Sequence, residues 1–277
     1  MVKGLKLDDS KEARSTQRVQ VPVKLKRRSF IEALAALLYG VGDVRTGHAF
    51  GGRELVGITY LDFGEAAMSR PRAAEQLMWE VSKRTSIQVR EAALWVKPED
   101  PSLFENPLIV WLGQGDVPEW STLAKERLNL FLRAGGLLFI DDISSPGDDR
   151  FDRSVRMRLK ELWPEAQLAV APDEHTIYKS FFLLDQPHGR LLRSTRLEMI
   201  AFDDLSPILY ARNDTFGAYG RSPTGEWLLP TSMGGRSQRE MAFRFGINLV
   251  MYSTCLNYKR DQVHALSILR RRRFQAR

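Results

Sequence analysis

Asp141 and Asp142 adjoin at the end of the apolar run Leu137 to Ile140, and they are the residues of this sequence best suited to chemistry. Neighbouring carboxylates repel one another unless a cation or a set of N–H donors offsets their charge, so the pair points to a divalent metal or a polar ligand. His175 and Asp214 would add an imidazole and a third carboxylate to such a set. Ser144 or Ser145 with His175 offers a different chemistry, the nucleophile and base of a hydrolase. The same residues also have plain structural uses. Serines in a loop stabilise turns, an aspartate caps the next helix or turn, and a histidine can simply hydrogen-bond. No organic cofactor is indicated, because Gly113-Gln114-Gly115 lacks the third glycine of a dinucleotide fingerprint. Cys255 is the single cysteine, so no intrachain disulfide forms; it falls in a run of helical apolar spacing and is expected to be a buried structural thiol.

The elements that would carry these residues alternate between strand and helix. Val56 to Phe63 and Val89 to Val96 are rich in β-branched and aromatic residues. Between them Ser69 offers an N-cap, Pro71 suits a first turn, and Ala74, Leu77, Met78 and Val81 recur every three to four residues. Leu108 to Leu112 and Leu137 to Ile140 are continuous apolar runs, as strands covered on both faces would be. A helix from about Trp120 to Arg133 joins them and stops at Gly135-Gly136. Further on come a helix over Phe151 to Leu162, a short strand over Leu168 to Val170, at least one strand within Met199 to Asn213, a loop or hairpin over Phe216 to Pro230, and a closing helix over about Ser237 to Leu256. This alternation predicts an α/β fold: three layers around a mostly parallel, doubly wound sheet. In such a sheet ligands sit beyond the carboxyl ends of the strands, where Asp141, Asp142 and Gly113-Gln114-Gly115-Asp116 would share a crevice.

Charge separates the ends of the chain from its body. The formal charge is +7, yet residues 1–28 hold nine Lys and Arg against three acids, and Arg270 to Arg273 with Arg277 add five more positive charges. Residues 29–269 therefore sum to −4, and the basicity gives no support to a nucleic-acid partner. Arg27-Arg28-Ser29-Phe30-Ile31 followed by the apolar stretch Phe30 to Gly42 has the pattern of a twin-arginine export signal, with Gly47-His48-Ala49 placing cleavage after Ala49. Glu32 and Asp43 leave room for an uncleaved anchor or for a cytoplasmic chain whose FIEALAALL is an amphipathic helix. The plan is thus a signal segment over 1–49, one α/β domain over 50–258 and a basic tail over 259–277. The tail, or an uncleaved signal, could touch a membrane surface.

The chain resembles the bacterial domain of unknown function 4159 family. The resemblance rests on Asn106-Pro107-Leu108-Ile109-Val110-Trp111-Leu112-Gly113, Gly135-Gly136 with Leu137 to Asp142, Asp173 to Tyr178, Asn213-Asp214, and Gly246 to Val250. It covers roughly residues 55–258 and implies a flavodoxin-type fold similar to class I glutamine amidotransferases, in members often exported or membrane-attached. Thr176 departs from the pattern, which has proline there. Amidotransferase chemistry is not implied, since Asp141 ends the strand where the nucleophile turn would be and Cys255 is remote. An enzyme-like scaffold without a nucleophile, with loop residues such as Tyr219, Arg221 and Trp227 turned outward, fits a non-catalytic module that binds an envelope protein. A hydrolase-like or metal-binding crevice near Asp141, Asp142 and His175 is the alternative.

Overall fold

A computed structural model of the chain describes residues 55–63, 70–202 and 205–274, with side chains as far as Leu256 except those of Phe202 and Ser206. Arg27, Arg28 and Ala49 lie outside the described residues, as do Ser69 and the side chains of the Arg270 to Arg273 run.

In chain order the elements are β1 (Ile58–Leu61), α1 (Ala73–Arg84), β2 (Leu94–Val96), β3 (Leu108–Gly113), α2 (Thr122–Arg133), β4 (Leu137–Asp142), α3 (Arg150–Leu162), β5 (Ala169–Val170), β6 (Glu198–Phe202), β7 (Leu205–Ala211) and α4 (Gly235–Phe274). The strands form one seven-stranded sheet in the order β2-β1-β3-β4-β7-β6-β5. β2, β1, β3, β4 and β7 run parallel, while β6 is antiparallel to both β7 and β5.

Side chains alternate across a strand, so a run apolar at every position must be covered twice. Leu108, Val110 and Leu112 pack in one core with the buried faces of α1 and α4, whereas Ile109 and Trp111 pack in the other with α2 and α3. β4 repeats the rule with Leu137 and Phe139 on the first face and Leu138 and Ile140 on the second. In α2, Ala124, Leu128, Phe131 and Leu132 form the buried stripe, the larger of them each stabilising by roughly 1.5–3 kcal/mol. Ser121 caps that helix by accepting from the Ala124 N–H at 3.1 Å. It ends where Gly135 takes φ 102°, a left-handed conformation that glycine adopts without Cβ strain.

The structure refines two readings of the sequence and corrects a third. The strand expected within Met199 to Asn213 is β7, and β6 lies antiparallel beside it from Glu198; Pro207 sits at the bulge between the Ile200–Ile208 and Phe202–Leu205 pairs, where the ladder needs no N–H from it. Asp141 and Asp142, expected at the end of the apolar strand, are the last two residues of β4 itself. Cys255 is exposed on α4, because only one stripe of that helix faces the sheet. Among the described residues no helix is long and apolar enough to cross a membrane.

Candidate functional site

Because β4 is extended through its last residue, Asp141 and Asp142 point to opposite faces of the sheet. Asp141 continues the row of Phe139 on the α1/α4 side, and Asp142 that of Ile140 on the α2/α3 side. The adjacent acids therefore cannot grip one ion between them. Each has its own set of partners instead.

Asp141 is fully buried and accepts backbone N–H groups from Thr215 at 2.9 Å and Phe216 at 2.8 Å. Those donors belong to the turn after β7, which β4 pairs in parallel with Asp141 opposite Ala211. Burial, and then the charge of Asp214, push the Asp141 carboxyl up to about 7; the two N–H donors and Arg70 oppose the shift. Asp214 is also fully buried and has φ 49°, a left-handed conformation that aspartate tolerates better than most residues. Its carboxylate receives Arg70 through Nε and Nη2, both at 2.9 Å, Arg190 Nε at 2.6 Å, and the Gly217 N–H at 3.1 Å.

On the other face, Asp142 accepts the Ser144 N–H at 2.9 Å and lies 3.3 Å from Arg193 Nη2 and 3.5 Å from Arg212 Nε. The Arg212 contact is one of charge, since neither Arg212 Nε nor Asp142 Oδ2 completes a hydrogen bond there. Beside them Asn213 is saturated: its Oδ1 accepts from Arg193 and Ser194 N–H, and its Nδ2 donates to Pro187 O and Ser194 O. Of the expected crevice lining, Gly113 pairs with Asp142 across β3 and β4, while Gln114 and Asp116 are exposed.

His175 belongs to a different place. Its Nδ1 accepts the Ile177 N–H at 3.2 Å, capping a short 3-10 turn over Thr176–Lys179, and its ring lies 5.5 Å from that of Tyr252 on α4. The turn carrying Asp214 meets α4 at Ala242, whose carbonyl accepts Tyr219 Oη at 2.6 Å; Tyr252 is roughly 15 Å further along that helix. Among the described residues no three or more His, Cys, Asp and Glu side chains come together as a metal site would require. Ser144 is buried, Ser145 is exposed, and Tyr219, expected on the outside, is fully buried.

Asp141 and Asp214 are thus brought together, while Asp142 and His175 are each placed apart from them. The arginines that complete the two networks, Arg70, Arg190, Arg193 and Arg212, carry no local signal: Arg70 is 144 residues from Asp214 in the chain. Residues 57–254 match the family described as a domain of unknown function (DUF4159). The chain belongs to the DUF4159 family. No curated protein matches it. The DUF4159 match runs from the residue before β1 well into α4, so it takes in the whole sheet and both carboxylate networks. Within this DUF4159 domain the residues that carry the resemblance work largely as internal clamps. Asn248, for example, accepts the Phe181 and Phe182 N–H groups and donates to Ile177 O and Phe182 O.

Proposed function

We propose that this DUF4159 domain is a non-catalytic binding or assembly module of the bacterial cell envelope, exported behind the twin-arginine pattern at Arg27 and Arg28. One observation carries the reading. Asp141, Asp142 and Asp214, the acids at the carboxyl ends of β4 and β7, are fully buried and held by N–H groups and guanidinium groups of the same chain. A catalytic carboxylate must reach substrate, and these reach their own scaffold. The parallel strands in the order β2-β1-β3-β4-β7 are consistent with a flavodoxin-type sheet, the scaffold also implied by the resemblance to class I glutamine amidotransferases. The envelope location rests on the Arg27-Arg28 pair and the apolar stretch behind it.

A hydrolase-like or metal-assisted reading draws on one observation, the Asp141 carboxyl pushed up to about 7 beside Asp214, since acid–base groups work best near the ambient pH. A single set of measurements separates the two. The purified chain and its Asp141→Asn variant are assayed against ester, amide and phosphoester substrates, and their melting is followed with added Mg²⁺, Ca²⁺, Mn²⁺ and Zn²⁺. The module reading expects no turnover and no metal-dependent shift; turnover or a shift that disappears in the variant refutes it. Fusing residues 1–55 to a reporter that works only after folded export tests the address, with Arg27→Lys plus Arg28→Lys expected to abolish the signal.

A further inference from the structure

The outer face formed by α1, the 221–229 hairpin and the start of α4 concentrates the two residue types that dominate protein docking sites, tryptophan and arginine. Arg221 and Trp227 form an antiparallel bridge that closes the hairpin. The Trp227 ring lies between two guanidinium groups, Arg221 at 3.8 Å and Arg239 at 4.2 Å from its centroid, and it remains 38% exposed. Two recesses of about 340 Å³ each flank this stack, one lined by Arg72, Glu75, Trp79, Glu91 and Arg221 and the other by Glu80, Arg84, Trp227, Arg236, Arg239 and Glu240.

The charges on this face are unequally satisfied. Glu80 and Glu240 are both paired with Arg84, at 2.7 Å each. Arg72, Arg221, Arg236 and Arg239 have no carboxylate within ion-pair distance among the described residues. Arg221 Nε is buried without a hydrogen-bond partner, although Nη1 donates to Gly225 O at 2.8 Å. Arg239 is fastened by Ala218 O and Leu229 O, and burial together with the nearby positive charges of Arg221 and Arg190 pulls its pKa down. Arg236 also stands in the opening turn of α4, which holds no acid, and Arg239 follows directly after it; a cation in that turn opposes the helix dipole. Around Trp227 itself Arg221, Arg236 and Arg239 stand together, and an external anion there relieves their repulsion. A guanidinium stacked on an indole face keeps its in-plane N–H groups available for one.

We propose that this Arg–Trp–Arg groove docks an acidic segment of a partner polypeptide, its carboxylates meeting Arg221 and Arg236 and an apolar side chain resting on Trp227 or Trp79. A polypeptide fits better than a nucleic acid or a lipid surface because Glu75 and Glu91 line the same groove as Arg72 and Arg221. Closely spaced phosphates would meet those acids, whereas a peptide can place isolated carboxylates between them. The inference rests on the binding-module reading and gives it a surface and a ligand chemistry.

The test uses the full chain and a fluorescein-labelled dodecapeptide of alternating Glu and Leu, with an alternating Lys and Leu peptide, a single-stranded dT12 and phosphatidylglycerol vesicles as competing probes. Fluorescence anisotropy is expected to show saturable, salt-sensitive binding of the acidic peptide that Arg221→Glu combined with Arg236→Glu weakens at least tenfold. The double variant is first matched to the parent by circular dichroism and melting. Should it fail to fold, Trp227→Leu serves instead, with the same loss expected. Equal binding of the Lys peptide, tighter binding of dT12 or vesicles, or undiminished affinity in a folded variant overturns the proposal. Such a failure leaves the non-catalytic reading standing, because that reading falls only to turnover or to a metal-dependent shift.

Discussion

Replacing Asp141 with asparagine should change the pH dependence of stability more than stability itself. The carboxyl is fully buried and its pKa is raised from 3.8 to about 7, first by burial and then by Asp214. For an acid with a raised native pKa, the stabilising contribution is complete below the unfolded pKa. It is lost as pH rises through the native one, because the unfolded chain releases a proton that the folded chain keeps. At 1.36 kcal/mol per pH unit, a rise from 3.8 to about 7 corresponds to a total loss on the order of 4 kcal/mol, of which about 3 falls between pH 5 and pH 8. The amide, like the protonated carboxyl, offers one strong acceptor oxygen to the N–H groups of Thr215 and Phe216, so it stands in for the acid form at every pH. The variant is therefore expected to gain about 3 kcal/mol on the parent between pH 5 and pH 8. Urea unfolding of both proteins at the two pH values, followed by tryptophan fluorescence, gives the difference directly. Groups common to both proteins cancel, including His188, whose pKa burial lowers. A difference constant within about 0.5 kcal/mol, or one that moves in the opposite direction, refutes the assignment of a raised pKa to Asp141.

Asn248→Ala should be among the most damaging single changes, since it strands four backbone groups at Ile177, Phe181 and Phe182; a loss of roughly 3 kcal/mol or more is expected in the same unfolding assay. Gly113→Ala would put a Cβ 1.8 Å from the Phe151 ring, and overpacking of about 1–3 kcal/mol should lower the melting midpoint; Gly113→Ala with Phe151→Leu should recover part of it. Gly189→Ala should cost more than Gly113→Ala. Its Cβ would lie 2.2 Å from the Asn213 carbonyl oxygen, and backbone yields less readily than a ring. Exposed Cys255 should react stoichiometrically with a thiol reagent in the folded protein, whereas a buried thiol would react only after unfolding.

Much of the fold was legible because it follows from local periodicity. Leu108 to Leu112 and Leu137 to Ile140 are apolar at every position, the pattern of a strand covered on both faces. Ala124, Leu128, Phe131 and Leu132 mark α2 through helical spacing, and Gly135 marks its end. The short strands were harder. β5 has two residues and β6 and β7 meet around a bulge, so their existence depends on pairing and their sequences carry little period. Tyr219, Arg221 and Trp227 stand out in the sequence as loop residues suited to contact; Tyr219 is buried, while the other two stack with Arg239 from a helix.

The candidate site shows most clearly where sequence stops. Residue types alone established that Asp141, Asp142, Asp214 and His175 include the acids and the imidazole able to do chemistry, and spacing placed two of them at a strand end. Adjacency in the chain, however, is opposition across a strand, so the pair that looked most like a joint ligand is divided between the two faces of the sheet. Asp214 reaches Asp141 only because β7 pairs beside β4, and Arg70 reaches Asp214 only because its segment folds to the same end of the sheet. Composition and local pattern determine which elements form and which face of each is apolar, since both are short-range properties. Which buried charges meet, and whether an acid is open to substrate or sealed by an arginine from a distant segment, is decided by long-range pairing that no local spacing encodes.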